Sequence, residues 1–160
     1  MVRQIRLPWL SEAGPPDHGA RKAEPVAEDL KWAEHTQHLP FIIGYEQGLA
    51  EAKAKHKPLM FFVTTTWCGW CMKHAQENFC NETVKSLLDK FVLVIVDGDS
   101  EPEALAALDA KRGFPHPIFQ SAVGERLAEQ VGYAPVDVFT KVIEDALAKE
   151  PPANCPLSQK

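Results

Sequence analysis

Residues Leu59-Met60-Phe61-Phe62-Val63 form an unbroken apolar run, fenced by Lys57-Pro58 on one side and by Thr64, Thr65 and Thr66 on the other. A strand with one wet face alternates apolar and polar residues, whereas a short run without alternation fits a strand covered on both faces, as in a parallel sheet sandwiched by helices. Phe91-Val92-Leu93-Val94-Ile95-Val96 is a second run of the same kind. Both fall far below the roughly 20 residues of a bilayer span, so they are expected as internal strands and no membrane span is expected. The chain of 160 residues is 45% hydrophobic and 24% charged, enough to bury a core that needs neither a disulfide scaffold nor a structural metal. Its four cysteines are therefore free for chemistry. With 17 Lys and Arg against 22 Asp and Glu the net charge is −5, which points away from a nucleic-acid partner.

Between and after the two runs the pattern reads as helices. Glu46–His56 is rich in Ala, Glu and Lys and is stopped by Pro58; a breaker-free stretch extends from about Gly69 to Phe79, and Asn81 can cap a further helical segment carrying Val84, Leu87 and Leu88 on one face. Ser100-Glu101-Pro102-Glu103 has the spacing of a capping box and opens a helix expected to run to about Lys111, closed by Gly113. Pro117–Gln120 and Arg126–Val131, on either side of Gly124, read as an antiparallel hairpin. Val138, Phe139, Val142, Ile143, Ala146 and Leu147 follow the 3, 4 spacing of one buried helical stripe, which starts near Pro135 and ends at Pro151-Pro152. The order is that of a βαβ unit joined to a ββα unit, an α/β fold with a central mixed sheet and helices on both faces. Residues 1–44, broken by Pro8, Pro15, Pro16 and Pro25, are read as a partly ordered N-terminal arm, 45–150 as the domain and 151–160 as a tail. Within the arm, the apolar residues between Asp29 and Ile43 are enough to dock on a core without fixing a shape of their own.

Trp67-Cys68-Gly69-Trp70-Cys71 lies where the first strand gives way to a helix. Backbone N–H groups and the helix dipole stabilise an anion at that place, and for a cysteine the anion is the nucleophilic thiolate. Cys68 is the candidate nucleophile. Two intervening residues in a first helical turn bring Cys71 within reach of a mixed disulfide on Cys68, so Cys71 is the candidate resolving thiol.

From about residue 45 to 149 the chain resembles the thioredoxin superfamily. The resemblance rests on W-C-G-W-C at 67–71, on Arg112-Gly113-Phe114-Pro115, similar to the family's R-G-I-P, and on Val131-Gly132-Tyr133, similar to its V-G loop. It implies a thioredoxin fold, a cis proline at 115 facing the active cysteines, and a groove for substrate polypeptide lined by Trp67, Trp70, Phe114, Pro115 and Gly132. The lead-in A-K-A-K-H-K-P-L-M and the following E-N-F-C-N-E-T-V are similar to the branch that holds the C-terminal domain of DsbD, bacterial disulfide-isomerase-like proteins and the anterior-gradient proteins. Two departures from ordinary thioredoxin stand out: Phe62 occupies the place of the buried acid, and the dipeptide between the cysteines is Gly-Trp. The direction of electron flow is thereby left open.

The expected function is thiol-disulfide exchange with protein or peptide disulfides, with a redox protein or small thiol recycling the dithiol and no cofactor. A thioredoxin-fold binding module without catalysis is the alternative, followed by a metal-binding protein. No second CxxC stands at zinc-finger spacing, so no metal site is expected, and Met72 after Cys71 excludes a c-type haem attachment. His74 is read as a solvated or pKa-tuning neighbour of the motif, Cys80 as a small buried residue, Cys155 as a free thiol in the tail, and His35 and His38 as surface histidines. The first ten residues build no continuous apolar segment of the secretory kind. The compartment is left open: the cytoplasm if the chain is complete, a periplasm or secretory lumen if it is a processed form.

Overall fold

The structure, a computed structural model, describes residues 30–110 and 113–151. Its elements in chain order are α1 (Ala33–Thr36), β1 (Ile42–Ile43), α2 (Tyr45–Lys55), β2 (Leu59–Thr64), α3 (Gly69–Asn78), α4 (Glu82–Leu88), β3 (Val92–Asp97), α5 (Pro102–Ala107), β4 (His116–Gln120), β5 (Arg126–Glu129) and α6 (Val136–Lys149). They build one mixed sheet of order β1-β3-β2-β4-β5. β1 and β2 run parallel to β3, while β4 is antiparallel to β2 and to β5.

The alternation missing from the β2 sequence is present in its packing. Met60 and Phe62 join Leu93, Ile95 and Phe119 in the core layer that also takes Trp32, Phe79, Phe139 and Ile143. Leu59, Phe61 and Val63 join Val92, Val94, Val96 and Ile118 in the opposite layer, closed by Ala52, Ala104 and Leu108. Every residue of β2 and β3 is buried, which is why both strands are apolar up to their last residues, Thr64 and Asp97. The thioredoxin fold expected from the sequence is the fold observed, with β2 in the centre of the sheet and the cysteine motif at its C-terminal end. Among the described residues no helix is long and apolar enough to cross a membrane.

Several expectations need correction. Residues 30–44 do have a shape: a short helix, α1, and an edge strand, β1, whose Ile42 and Ile43 pair with Val94 and Ile95. Two residues cannot display a period, so β1 had no sequence signature. The capping box is absent, because the N-cap of α5 is Glu101 and has no side-chain cap. The Glu101 carboxylate instead accepts from the N–H groups of Tyr45 (2.9 Å) and Asp97 (3.1 Å), and the Ser100 hydroxyl donates to Asp97 (2.8 Å). These acceptors serve the tertiary structure in place of the helix end, and α5 stops at Ala107. Asn81 does cap α4, its Oδ1 accepting from Val84 N–H at 3.1 Å. The arm before Leu30, the helix end near Lys111, the side chain of Arg112 and the tail with Cys155 lie outside the described residues.

Candidate active site

Cys68 is built into the start of α3. The chain leaves β2, the Thr65 carbonyl accepts from Cys68 N–H at 3.2 Å, and the Cys68 carbonyl accepts from Met72 N–H at 3.2 Å as the helix begins. Cys68 is the N-cap, extended at φ −79° and ψ 102°. Its Sγ accepts from Cys71 N–H at 3.2 Å, as a capping oxygen would. Cys68 and Cys71 are joined in a disulfide with their Cα atoms 5.2 Å apart. Cys68 keeps 6% of its surface exposed and Cys71 none. Once the bond is reduced, the free N–H groups and dipole of α3 favour the Cys68 thiolate.

Aromatic side chains flank the disulfide on two sides. Trp67 is 67% exposed and Trp70 60%, a high exposure for the largest apolar side chains. Trp67 meets Phe114 edge to face at 6.4 Å, and its Nε1–H donates to Asp99 Oδ2 at 2.8 Å. Trp70 meets Tyr133 at 5.6 Å, and the Lys73 ammonium lies over both rings at 5.2 and 5.0 Å. The Tyr133 hydroxyl donates to Glu77, which also pairs with Lys73 at 3.9 Å. The Phe114–Pro115 bond is cis. Because His116 pairs with Val63, Pro115 lies at the sheet end from which Cys68 departs. The Pro115 carbonyl accepts from Gly132 N–H at 2.7 Å, with Gly132 at φ 82°, a conformation that suits glycine. Gly98 is needed for a different reason: a Cβ there would lie 2.4 Å from the Phe114 ring.

Behind the motif the site is tied together by buried polar groups. His74 is fully buried, and its ring stacks on Phe62 at 5.7 Å and meets Phe139 edge to face at 4.6 Å. Its Nδ1 accepts from Ala134 N–H at 3.3 Å, and Asn78 donates to both the His74 and Ala134 carbonyls at 3.0 and 2.9 Å. Burial lowers the His74 pKa to about 4, so the ring is neutral near pH 7. Its surroundings thus overturn the solvated reading. His35 is buried as well, with Nδ1 and Thr64 Oγ1 2.9 Å apart, which corrects its reading as a surface residue; His38 is exposed. Cys80 is exposed rather than buried, its Sγ–H donating to Gln37 Oε1 at 3.3 Å.

A family model described as thioredoxin-like matches residues 41–122. The chain belongs to the thioredoxin-like family. Among curated relatives of this thioredoxin-like chain, the disulfide bond reductase DsbH of Chlamydia pneumoniae is 30% identical over 103 residues, which cover 57% of this chain and 61% of that one. Spermatogenesis-associated protein 20 of Rattus norvegicus is 26% identical over 105 residues, 61% of this chain and 13% of that one. The chain therefore spans less than two thirds of either relative's length. The solved structure of a DsbH oxidoreductase shares the fold, with TM-score 0.57 and 22% identity over 82% of this chain and 94% of that one.

Of the residues singled out in the sequence, the thioredoxin-like frame brings Cys68 together with Cys71, Trp67 with Phe114, and Pro115 with Gly132. Tyr133, Lys73, Glu77, Asp99 and Gly98 border the same site and were missed. Tyr133 alone had a signal, its place beside Gly132. Among the described residues no three His, Cys, Asp or Glu side chains are grouped to hold a metal.

Proposed function

We propose that the chain is a thiol-disulfide oxidoreductase acting on protein or peptide disulfides, with Cys68 as nucleophile and Cys71 as resolving thiol. The observation that carries this reading is the pairing of a surface-reaching Cys68 with a fully buried Cys71 at the N-terminus of α3. In the first step the Cys68 thiolate attacks a substrate disulfide; a bond forms between Cys68 Sγ and one substrate sulfur, and the other sulfur leaves as a thiolate. In the second, Cys71 loses its proton and attacks Cys68 Sγ, expelling the second substrate thiolate and closing the internal disulfide. In the reductive direction two electrons pass to the substrate, and in the oxidative direction the same steps run in reverse. A redox protein or small thiol recycles the cysteine pair, and no cofactor takes part.

Trp67, Trp70, Phe114, Pro115 and Gly132 form the substrate groove in this proposal, supported by the exposure of the two tryptophans and by their aromatic partners.

Reduction of insulin by dithiothreitol tests the function. The wild-type chain is expected to accelerate it and Cys68→Ser to be inactive, while Cys71→Ser accumulates a mixed disulfide with the substrate. A Cys68→Ser variant with full activity refutes the assignment. The potential of the Cys68/Cys71 couple then sets the direction: a value near about −270 mV marks a reductant, one above about −180 mV an oxidant or isomerase.

A further inference from the structure

The strand that delivers the cysteine motif is held from outside the stretch that matches the thioredoxin-like family model, which begins at residue 41. Trp32 and His35, contributed by the segment at α1, are 1% and 2% exposed. Trp32 packs in the core layer that contains both motif cysteines, and its ring meets that of His35 edge to face at 5.2 Å. His35 reaches the end of β2, where its Nδ1 lies 2.9 Å from Thr64 Oγ1.

Thr64 Oγ1 also lies 3.5 Å from the Thr65 carbonyl oxygen. That carbonyl is the acceptor for Cys68 N–H at 3.2 Å. The Thr64 hydroxyl has one proton and two acceptors within reach, the imidazole nitrogen and the Thr65 carbonyl. With its proton directed at His35, the Thr64 side chain is tied to α1, which holds the Thr64–Thr65 backbone whose carbonyl accepts from Cys68 N–H. With no acceptor at His35, or no hydroxyl at Thr64, that tie is broken and the Thr65 carbonyl is less firmly placed for Cys68 N–H.

We infer that His35 is a positioning residue for the Cys68 nucleophile, acting through the Thr64 hydroxyl and the Thr65 carbonyl to fix the backbone of the α3 N-cap. The inference rests on the reading of Cys68 as the attacking thiol. Burial lowers the His35 pKa, opposed by the nearby Glu34 carboxylate and by a backbone hydrogen bond with Thr66. The neutral ring, with one nitrogen free to accept, is the form this role requires.

The test is the rate at which iodoacetamide alkylates Cys68 in the fully reduced chain, read by mass spectrometry, with the urea midpoint measured in parallel. His35→Phe keeps the ring and its contact with Trp32 but removes the acceptor, and Thr64→Val removes the hydroxyl at nearly unchanged shape. Each is expected to slow alkylation about fivefold, the worth of one hydrogen bond. The double variant is expected to be no slower than either single one, because both break the same chain of bonds. His35→Gln, with an amide acceptor, is expected to recover most of the rate. Wild-type alkylation rates in both single variants, even with lowered urea midpoints, would reduce His35 to a structural contact and overturn the inference, as would a slow His35→Phe beside an unaffected Thr64→Val. If His35→Phe does not fold, Thr64→Val decides alone. A wild-type chain that alkylates at Cys68 but does not accelerate insulin reduction defeats the proposed function and leaves this comparison standing.

Discussion

Phe62 and His74 face each other in the core at 5.7 Å, and the stability of the fold depends on the histidine staying neutral. Its pKa is about 4 when folded and 6.5 when exposed, so between those values the unfolded chain binds the additional proton. Stability is thus at its full level above pH 6.5 and falls as the pH drops toward 4, by up to about 3 kcal/mol at this one residue. His35, also lowered by burial, works in the same direction. Urea unfolding at pH 7 and pH 4.5 is expected to show a smaller difference for His74→Gln than for the wild type; equal differences would remove His74 from the explanation. Gly98 carries a second expectation. Gly98→Ala places a methyl group 2.4 Å from the Phe114 ring and 3.0 Å from the Thr65 methyl, costing about 1–3 kcal/mol of stability and slowing insulin reduction by displacing one wall of the proposed groove. An alanine variant with an unchanged urea midpoint would contradict this. The cysteines were legible in the sequence because their spacing and place at a strand end are local facts. The burial of His35 and His74 and the seat of Phe114 on Gly98 were not, since each is decided by residues distant along the chain.

At the level of elements, legibility followed length and the number of covered faces. β2 could be read at its observed ends because both faces are buried, and α6 could be read because its buried residues Phe139, Ile143 and Ala146 keep helical spacing over about two turns. α1 and β1 span four and two residues, too few for any period, and their positions come from what they pack against. Trp32 anchors this region, immersed in the core layer beneath α3. Trp32→Ala is expected to cost about 3–5 kcal/mol in urea unfolding, a loss well beyond that of an appended segment; a loss under about 1 kcal/mol would show residues 30–44 to be dispensable. The hairpin β4–β5 was anticipated from Gly124, but the irregular register between Phe119 and Gln120 has no counterpart in the residue pattern. Bulges depend on how the partner strand twists, and that information lies in the pairing itself.

Taken as a whole, the molecule does not depend on its disulfide for its architecture. The two core layers on either side of the sheet engage every strand from β2 to β4, while the Cys68–Cys71 bond closes a loop of sequence separation 3. So small a loop contributes no more than about 2 kcal/mol by chain entropy. Dithiothreitol is therefore expected to leave the far-ultraviolet circular dichroism unchanged and to lower the urea midpoint only slightly. Loss of the helical signal on reduction would show that the bond holds the fold. The difference in burial between the two cysteines also sets the order of events in the proposed reaction. In the proposed reaction a bulky disulfide arriving at the motif meets only Cys68 of the pair, so the mixed disulfide forms there, above the thiol that would release it. In that proposal the lifetime of a captured polypeptide is timed from inside the protein, by how soon the fully buried Cys71 sheds its proton.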